Sequence, residues 1–189
     1  MHELSTRALD TSTWDDFAAL VQRHGGVWGG CWCLAFHAEG AKPGPHRREA
    51  KACRVREGRA HAALVYDAAR CVGWCQYGPT AELPRIKRRK ACDAARQRDA
   101  DWRITCFFVD REHRGRGVAA TALQGALALI AQAGGGRVES YPEDAAGRRV
   151  SASFLHNGSL AMFERAGFER VGPVGAHHWL VSRQVGPLR

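Results

Sequence analysis

The sequence lacks any long apolar run. No stretch of eighteen consecutive apolar residues occurs among its 189 residues, and a membrane-spanning helix needs about that length. Residues 1–5 also lack the basic segment followed by an apolar one that marks an export signal. We therefore expect a soluble, cytoplasmic protein without membrane contacts. The length and a hydrophobic content of 45% suit one core, so we expect a single domain over residues 1–189.

A C-x-x-C pair is also missing, although the chain has seven cysteines. Cys71 and Cys106 lie in apolar, strand-like runs, which favours reduced, buried thiols over a disulfide framework. Cys31, Cys33 and His37 leave a zinc site as an alternative. Since no C-x-x-C pair or second His pair completes a set of four ligands, we expect no metal.

The chain is strongly basic, with a net charge of +9 and a pI near 9.7. Such a balance suits an acidic ligand, either a nucleotide-like cofactor or a nucleic acid. Nearly all the basic residues are arginine in an Ala- and Gly-rich chain, which is typical of a GC-rich bacterial genome, so much of the charge can be solvated surface. A basic segment begins at Arg85–Lys90 inside a probable insertion at about 82–100, and indicates a solvated helix or lid or, alternatively, an acidic-partner patch.

The most informative stretch is the charged loop Asp110–Arg116. It lies between an apolar run, Ile104–Val109, and a helix-like run, Val118–Ala133. A strand that enters a loop with two glycines and then opens a helix presents free backbone N–H groups to an anion. The loop is therefore predicted to bind phosphate.

Two phosphate-binding motifs fit this loop poorly. A Walker loop ends in Gly-Lys-Ser/Thr, and that tripeptide is absent from the chain. A Rossmann fingerprint fits Gly115, Gly117 and Ala120, with Glu139 at the acidic position. However, charged residues separate the strand from the glycines, and the chain beyond Glu139 is too short for the remaining strands.

A third pattern matches better. Arg114, Gly117 and Ala119 form R-x-x-G-x-A after a hydrophobic-Val-Asp sequence, and Phe163–Phe168 follows about fifty residues later with a terminal Gly-Phe. The chain resembles the Gcn5-related N-acetyltransferase (GNAT) family, firmly over residues 102–170 and more weakly before about residue 60. The resemblance implies an α/β (α+β) fold, with a mixed central sheet flanked by helices on both faces.

The periodicity of the chain fits that order of elements. Trp14, Phe17, Leu20 and Val21 share one helical face, and residues 62–66 and 71–77 predict a β-hairpin. Residues 102–109 alternate as an interior strand that places Ile104, Cys106 and Phe108 on one face. The next helix is predicted to bury a single stripe, made of Val118, Ala122, Ala126, Leu127 and Ile130.

The resemblance implies that the loop amides hold the pyrophosphate of acetyl-coenzyme A and that the pantetheine lies between two diverging strands. It assigns the cofactor contacts to Phe107, Phe108, Val109, Arg114, Gly115, Arg116, Gly117, Val118, Ala119, Asn157 and Phe163. An acceptor pocket is expected at Trp28, Trp32 and Cys33, where two tryptophans lie among glycines and thiols, with plain core packing as the alternative.

Attack by an amine requires its neutral form, so a general base is needed. Glu139 is the first candidate because it lies on the strand beside the thioester, and pairing with an arginine such as Arg137 or Arg149 is its alternative role. His156 is the second candidate. The family often has a tyrosine where this chain has Phe163, so Tyr141 is the candidate acid, and water is the alternative.

The predicted function is acetyl-CoA-dependent N-acetylation of a primary amine of a small molecule or peptide by direct attack. Two rivals stay open at this point: a non-catalytic acyl-CoA-binding module, and an acetyltransferase that acts on RNA or a nucleic-acid-associated protein. Nucleic acid is the less favoured partner, and a monomer or homodimer is expected.

Overall fold

The computed structural model describes residues 3–27, 29–40, 46–151 and 154–188. Short 3-10 turns lie at Arg111–His113 and Phe154–Asn157. The strands and helices within the described ranges are, in chain order, β1 (Leu4–Ala8), α1 (Trp14–Arg23), α2 (Arg47–Arg56), β2 (His61–Asp67), β3 (Arg70–Pro79), α3 (Arg89–Ala95), β4 (Trp102–Val109), α4 (Val118–Gln132), β5 (Gly136–Ser140), α5 (Leu160–Arg165), β6 (Glu169–Pro173) and β7 (Trp179–Val185).

The strands form one seven-stranded sheet in the order β1-β2-β3-β4-β5-β7-β6. All neighbours are antiparallel except β4 and β5, which run parallel and pair only at Trp102 with Val138 and at Arg103 with Glu139. Beyond those two positions the strands diverge. The predicted mixed sheet with helices on both faces is confirmed, and the order of elements follows the sequence prediction.

Helix α4 packs across one face of the sheet. Its buried stripe contains all five predicted residues together with Leu123 and Gly125. The helix ends at a glycine run in which the N–H of Gly135 donates to the carbonyl of Ile130 at 2.9 Å. These apolar side chains join Val65, Val72 and Phe163 in the larger core, so the glycine-loop helix is anchored along its whole length.

The opposite face is covered by α1, α2 and the segment between them. Phe17, Leu20 and Val21 of α1 are fully buried there, as the helical period predicts. Trp74 of β3 stacks on Phe108 of β4 at 4.8 Å between ring centroids. The two cores therefore lie on opposite faces of the sheet, with β3 and β4 between them.

Strand β4 has one extra, unpaired residue within the stretch that pairs with β3. Tyr77 pairs with Ile104 and Gln76 pairs with Cys106, so Thr105 has no counterpart on β3. The bulge reverses the alternation: Ile104 packs with Phe107 on the α4 face, while Cys106 and Phe108 pack on the other. The prediction that Ile104 shares a face with Cys106 and Phe108 is wrong, because simple alternation cannot anticipate an inserted residue.

The segment at about 82–100 contains helix α3, which contacts β6. Cys92 of this helix is fully buried and forms a third small core with Tyr141, Val174 and Leu180. The segment is thus partly packed and not only solvated. In the described parts of the chain, no helix combines the length and the apolar character that crossing a membrane requires.

Gly73 of β3 lies where β4 and the start of α4 approach most closely. A Cβ at this position would lie 2.7 Å from Cγ1 of Val118 and 2.8 Å from the carbonyl oxygen of Phe108. We expect Gly73→Ala to lower the free energy of unfolding by about 1–3 kcal/mol, as overpacking does. Denaturant unfolding measures the change. Gly186→Ala is the control, since no atom lies within 4 Å of its Cβ, and equal losses in both variants would contradict the expectation.

Candidate active site

The loop after β4 is held by Asp110, which is buried. Its carboxylate accepts from the N–H of Glu112 at 3.2 Å, and Arg23, His24 and Arg70 lie 3.2, 3.4 and 3.4 Å away. Burial opposes ionisation, but the Glu112 amide, His24 and Arg23 outweigh it and lower the pKa of Asp110. The carboxylate therefore fixes the loop to α1 and β3.

The glycines of this loop adopt left-handed backbone conformations, with φ of +73° at Gly115 and +83° at Gly117. A side chain would meet no atom within 4 Å at either position, so backbone conformation and not space requires glycine here. The N–H of Thr121 donates to the carbonyl of Gly117 at 3.0 Å. The amides at 118–120 thus precede the first intrahelical bond and stay available to an anion.

A cleft opens directly in front of this helix start. It is bounded by the end of β4, the glycine loop and the first turn of α5. Its lining residues are Phe107, Phe108, Val109, His113, Arg114, Gly115, Gly117, Val118, Ala119, Ala120, Leu155, Gly158, Ser159, Met162 and Arg165. Eight of the eleven residues predicted to contact a cofactor meet here, and Arg114 and Arg165 add positive charge at the helix start.

The three other predicted cofactor residues lie elsewhere. Arg116 pairs with Asp67 at 3.2 Å. Phe163 is fully buried and packs edge-on against Phe107 at 5.9 Å. Asn157 is buried, and its side-chain amide donates to the carbonyl oxygen of Thr105 at 2.6 Å. Phe163 thus packs against the cleft residue Phe107 and does not itself line the cleft.

Side chains occupy the gap where β4 and β5 diverge. The hydroxyl of Ser140 donates to the carbonyl of Ile104 at 3.0 Å, and Asn157 bonds the next carbonyl, that of Thr105. The bulge and these two side chains hold β4 apart from β5 without backbone pairing.

Glu139, the first candidate base, is buried at the last pairing position of the two strands. Arg103 donates to Oε1 at 2.6 and 2.8 Å, Arg96 donates to both oxygens at 3.0 and 3.1 Å, and the Tyr141 hydroxyl also donates to Oε1. Burial would raise the pKa of Glu139, but hydrogen bonds from Arg96 and Tyr141 and the charge and hydrogen bonds of Arg103 lower it. The alternative role, pairing with arginine, is observed, with Arg103 and Arg96 in place of Arg137 or Arg149.

Tyr141, the candidate acid, gives its hydroxyl proton to that hydrogen bond. Burial, followed by the charge of Glu139, raises the pKa of Tyr141. Its ring also lines a second, narrow cleft on the other side of the strand gap. The residues of this second cleft are Phe36, Lys87, Arg88, Tyr141, Asn157, Val174 and His178.

An acid–imidazole pair that the sequence did not predict lies at the second cleft, where His178 lines the wall and Glu143 is buried beside it. Nε2 of His178 lies 3.0 Å from Oε2 of Glu143, which is buried, and Nδ1 of His178 lies 2.8 Å from Nη1 of Arg88. Burial lowers the pKa of His178, and Arg88, Lys87 and His177 lower it further against the opposing charge of Glu143. The three residues come from distant parts of the chain, so spacing gave no signal beyond the His177-His178 doublet before β7.

Two of the three predicted acceptor-pocket residues, Trp32 and Cys33, pack in the core. Trp28 lies outside the described residues. Trp32 stacks on Trp14 at 6.0 Å, and the sulfur of Cys33 accepts from Nε1 of Trp74 at 3.2 Å. Both side chains are buried, as the core-packing alternative predicts.

Two further predictions concern histidines. The ring of His156 lies 6.5 Å from that of Phe36, close to the second cleft. Within the described ranges, the ligand atoms of Cys31, Cys33 and His37 do not converge on one point. The zinc alternative therefore has no geometric support.

Comparison with known proteins agrees with this geometry. A family model described as "Acetyltransferase (GNAT) family" matches residues 31–168. No curated protein matches the sequence.

Solved structures with the same fold are numerous. An acetyltransferase from Thermus thermophilus is 14% identical, with a TM-score of 0.54 and coverage of 97% of this chain and 99% of that one. A mosquito arylalkylamine N-acetyltransferase-like protein is 12% identical, with a TM-score of 0.55 and coverage of 96% and 100%. A Corynebacterium glutamicum protein, described as histone acetyltransferase HPA2 and related acetyltransferase, is 14% identical, with a TM-score of 0.52 and coverage of 98% and 97%. At these identities the likeness establishes the fold.

The Glu139 cluster makes a prediction about stability and pH. Glu139→Gln leaves the buried Arg103 and the half-buried Arg96 without a full counter-charge, and should lower the free energy of unfolding by about 3–5 kcal/mol at pH 7. The lowered pKa means that the carboxylate stabilises the fold above its unfolded pKa of about 4.3, and loses that contribution as pH falls through the folded pKa. The difference in the free energy of unfolding between wild type and variant should therefore shrink below about pH 4.

Denaturant titrations at several pH values measure that difference in the free energy of unfolding. Glu164→Gln removes a matched but more exposed ion pair with Arg170, and should change stability by no more than about 1 kcal/mol. A pH-independent difference would show that the pKa of Glu139 is the same in the folded and the unfolded protein, and a difference that grows as pH falls would show that folding raises it; either result would contradict the prediction.

Proposed function

The chain belongs to the acetyltransferase (GNAT) family and is an N-acetyltransferase, and we propose that it transfers the acetyl group of acetyl-CoA to a primary amine of a small molecule or peptide. In this proposal both substrates are bound at once and the amine attacks directly. The observation that carries it is the glycine loop opening α4 at a cleft whose wall includes Phe107–Val109, the end of β4 beyond the positions where it pairs with β5.

The chain's own residues suit acetyl-CoA, which supplies the thioester. Free amides at the start of α4 and the open space at Gly115 and Gly117 accommodate a pyrophosphate. Arg114 and Arg165 lie beside that position. The backbone of Phe107–Val109 faces the same cleft, where pantetheine would lie. We keep Asn157 as a residue that shapes the gap through Thr105, and assign no direct contact to Arg116 or Phe163.

The acceptor amine is proposed to enter through the second cleft, because the cleft is lined by Asn157, which bonds the carbonyl of Thr105 at the strand gap. Of the groups there, His178 is the base we propose. Arg88 can only donate, so Nδ1 of His178 is the acceptor and the ring proton lies on Nε2, which is 3.0 Å from Oε2 of Glu143. Arg88 now bonds Nδ1, so the incoming amine must displace this exposed arginine.

The earlier candidates rank below His178. Glu139 accepts hydrogen bonds from two guanidinium groups and a hydroxyl, so its basicity is weakened and we propose that it positions Tyr141. His156, near Phe36, stays the second histidine candidate. Since the Tyr141 proton is engaged by Glu139, we propose that water protonates the departing thiolate, whose pKa of about 8.5 makes that step undemanding.

Two rival functions are weighed against this one. The non-catalytic rival has less support because His178, Glu143 and Asn157 gather where an amine would enter. The nucleic-acid rival relied on the basic segment, but Arg88 bonds His178 and Arg96 bonds Glu139. These two arginines therefore bind groups of the protein itself, His178 in the second cleft and Glu139 on β5, which weakens the case for a surface that binds a polyanion.

The first test is cofactor binding. Gly117→Asp would place a carboxylate where the pyrophosphate lies, in a backbone conformation that disfavours a side chain. We expect coenzyme A affinity to fall at least about tenfold, equal to about 1.4 kcal/mol. Isothermal titration measures it. Gly58→Asp is the matched control, because Gly58 also has a positive φ, of +67°, and no atom within 4 Å of its Cβ.

Absence of coenzyme A binding by the wild-type protein would overturn the proposal. Release of free thiol from acetyl-CoA with a panel of amines then separates the enzyme from a mere binder, which releases none. Salt-sensitive RNA binding that exceeds what the net charge predicts would favour the nucleic-acid rival.

The second test concerns the base and uses the acidic limb of the kcat/KM pH profile. Arg88→Ala removes a positive neighbour of His178, so the pKa of His178 should rise and the limb should move to higher pH. Glu143→Gln removes a negative neighbour, so the limb should move to lower pH. Shifts of about one unit are typical of charges at these distances, and His178→Ala should abolish the limb.

Opposite shifts distinguish His178 from the alternatives. If Glu139 or His156 is the base, the Arg88 and Glu143 variants leave the limb in place. Histidine NMR titration of each variant checks that the pKa of His178 itself has moved, whatever the activity does.

A further inference from the structure

Two exposed cationic side chains, those of Lys87 and Arg88, line the second cleft just before α3. Among the described residues, no carboxylate forms an ion pair with either of them. The carboxylate of the cleft region, that of Glu143, is buried and faces Nε2 of His178, whereas Arg88 faces the other ring nitrogen. An acceptor that enters the cleft therefore approaches two positive charges that the protein does not neutralise.

Arg88 has an unusual partner. Its Nη1 lies 2.8 Å from Nδ1 of His178, and a guanidinium group has only donors and keeps its charge at any ordinary pH. A neutral imidazole nitrogen accepts one hydrogen bond but supplies no counter-charge. A carboxylate can accept two parallel hydrogen bonds and neutralise the guanidinium, which makes it the stronger partner. Arg88 would therefore exchange His178 for a carboxylate that is brought into the cleft.

The backbone at Arg88 directs this side chain into the cleft. Arg88 has a left-handed conformation, with φ of +55° and ψ of +39°, which is unfavourable for a residue with a side chain. The side chain passes over Gly175 in the turn between β6 and β7, where a Cβ would lie 2.8 Å from Nε of Arg88 and 3.0 Å from its Cδ. An arginine that only projects into solvent needs neither feature. The charge of Arg88 is thus held beside His178 by the fold.

Given the acyl transfer proposed above, on which this inference rests, we propose that the acceptor is a small amino acid, an amine that carries a carboxylate, and that this carboxylate binds Arg88 and Lys87. As Arg88 turns to the carboxylate, it leaves Nδ1 of His178, and the amine takes its place there. The acceptor thereby removes the arginine that blocks the base.

The transfer then balances without a further reactant. The neutral amine forms the N–C bond to the acetyl carbon, and the C–S bond breaks. Nδ1 of His178 takes the proton that the amine loses, and water protonates the departing thiolate. The hydroxide formed in that step is neutralised by the proton of His178, which returns the ring to its starting state. The carboxylate takes no part in these steps and acts only on binding and on Arg88.

The same arrangement disfavours other classes of amine. A polyamine would bring further positive charge toward Lys87 and Arg88, and a neutral amine has no group that would draw Arg88 away from His178. Repulsive contacts of this kind set specificity as much as attractive ones do. We therefore expect discrimination between amines of equal size that differ only in charge.

The experiment measures thiol release from acetyl-CoA with three matched pairs of acceptors: glycine, β-alanine and 4-aminobutanoate, each beside its carboxamide. The members of a pair have nearly the same size, but only the acid carries a negative charge. In the pair whose spacer fits, we expect kcat/KM for the acid to exceed that for the amide at least about tenfold, as a charge-assisted pair allows. The amine of each amide is the less basic one and is more often neutral, a bias that opposes the expected result.

Arg88→Ala separates a binding role from a structural one. Without Arg88, kcat/KM for the acid should fall at least about tenfold, whereas that for the amide should not fall, because the amide no longer has to displace the guanidinium. Lys87→Gln should affect the acid less, since Arg88 is the one that bonds His178. Arg89→Ala is the matched control, because Arg89 is exposed and next in the chain but does not line the cleft. Assays well above the acidic limb keep His178 deprotonated in every variant.

Three results would count against these assignments, each in its own way. Thiol release with uncharged or polycationic amines but not with the acids would overturn the inference and leave the proposed function standing. A folded Arg88→Ala protein in which acid and amide lose activity equally would overturn it as well. An absence of thiol release with every amine, despite coenzyme A binding, would instead remove the proposed function itself.

Discussion

The buried ion pair between Glu139 and Arg103 lies at the point where β4 and β5 stop pairing. The two strands are held at one end by two backbone partners and this carboxylate–guanidinium bridge. Beyond it, the bulge at Thr105 and the side chains of Asn157 and Ser140 keep them apart. The cofactor cleft, the strand gap and the second cleft all depend on that divergence. The shape of this part of the molecule therefore relies on one buried polar cluster.

Local sequence signals predicted the scaffold well because its elements are defined by short-range rules. The glycine loop, the stripe along α4 and the β2–β3 hairpin follow from backbone conformation and periodicity, and all three are present. The faces of β4 were partly misassigned because one extra residue at Thr105 shifts the alternation. Eight predicted cofactor residues converge on one cleft, since they belong to one continuous strand–loop–helix unit.

The parts of the site that sequence could not predict are those built from distant segments. Arg96 comes from the end of α3, Arg103 from β4 and Glu139 from β5, and only the sheet topology brings them together. His178 and Glu143 are likewise joined by an isolated bridge outside the named strands. From sequence alone, the segment at about 82–100 is predicted to be solvated because its charged residues have no partners nearby in the chain. In the fold, it supplies one arginine to the β5 carboxylate and another to the second cleft.

The extra residue at Thr105 also bears on how this strand can evolve. The bulge reverses which face of the sheet each following side chain takes. The side chains from Cys106 to Val109 face their present sides because Thr105, just before them, is unpaired. Deleting Thr105 would restore simple alternation and leave Phe107 and Phe108 in their present cores, whereas pairing Thr105 into the ladder would exchange them. The wall of the cleft therefore tolerates both gradual change in side-chain size and loss of the extra residue, but its orientation depends on that residue staying unpaired.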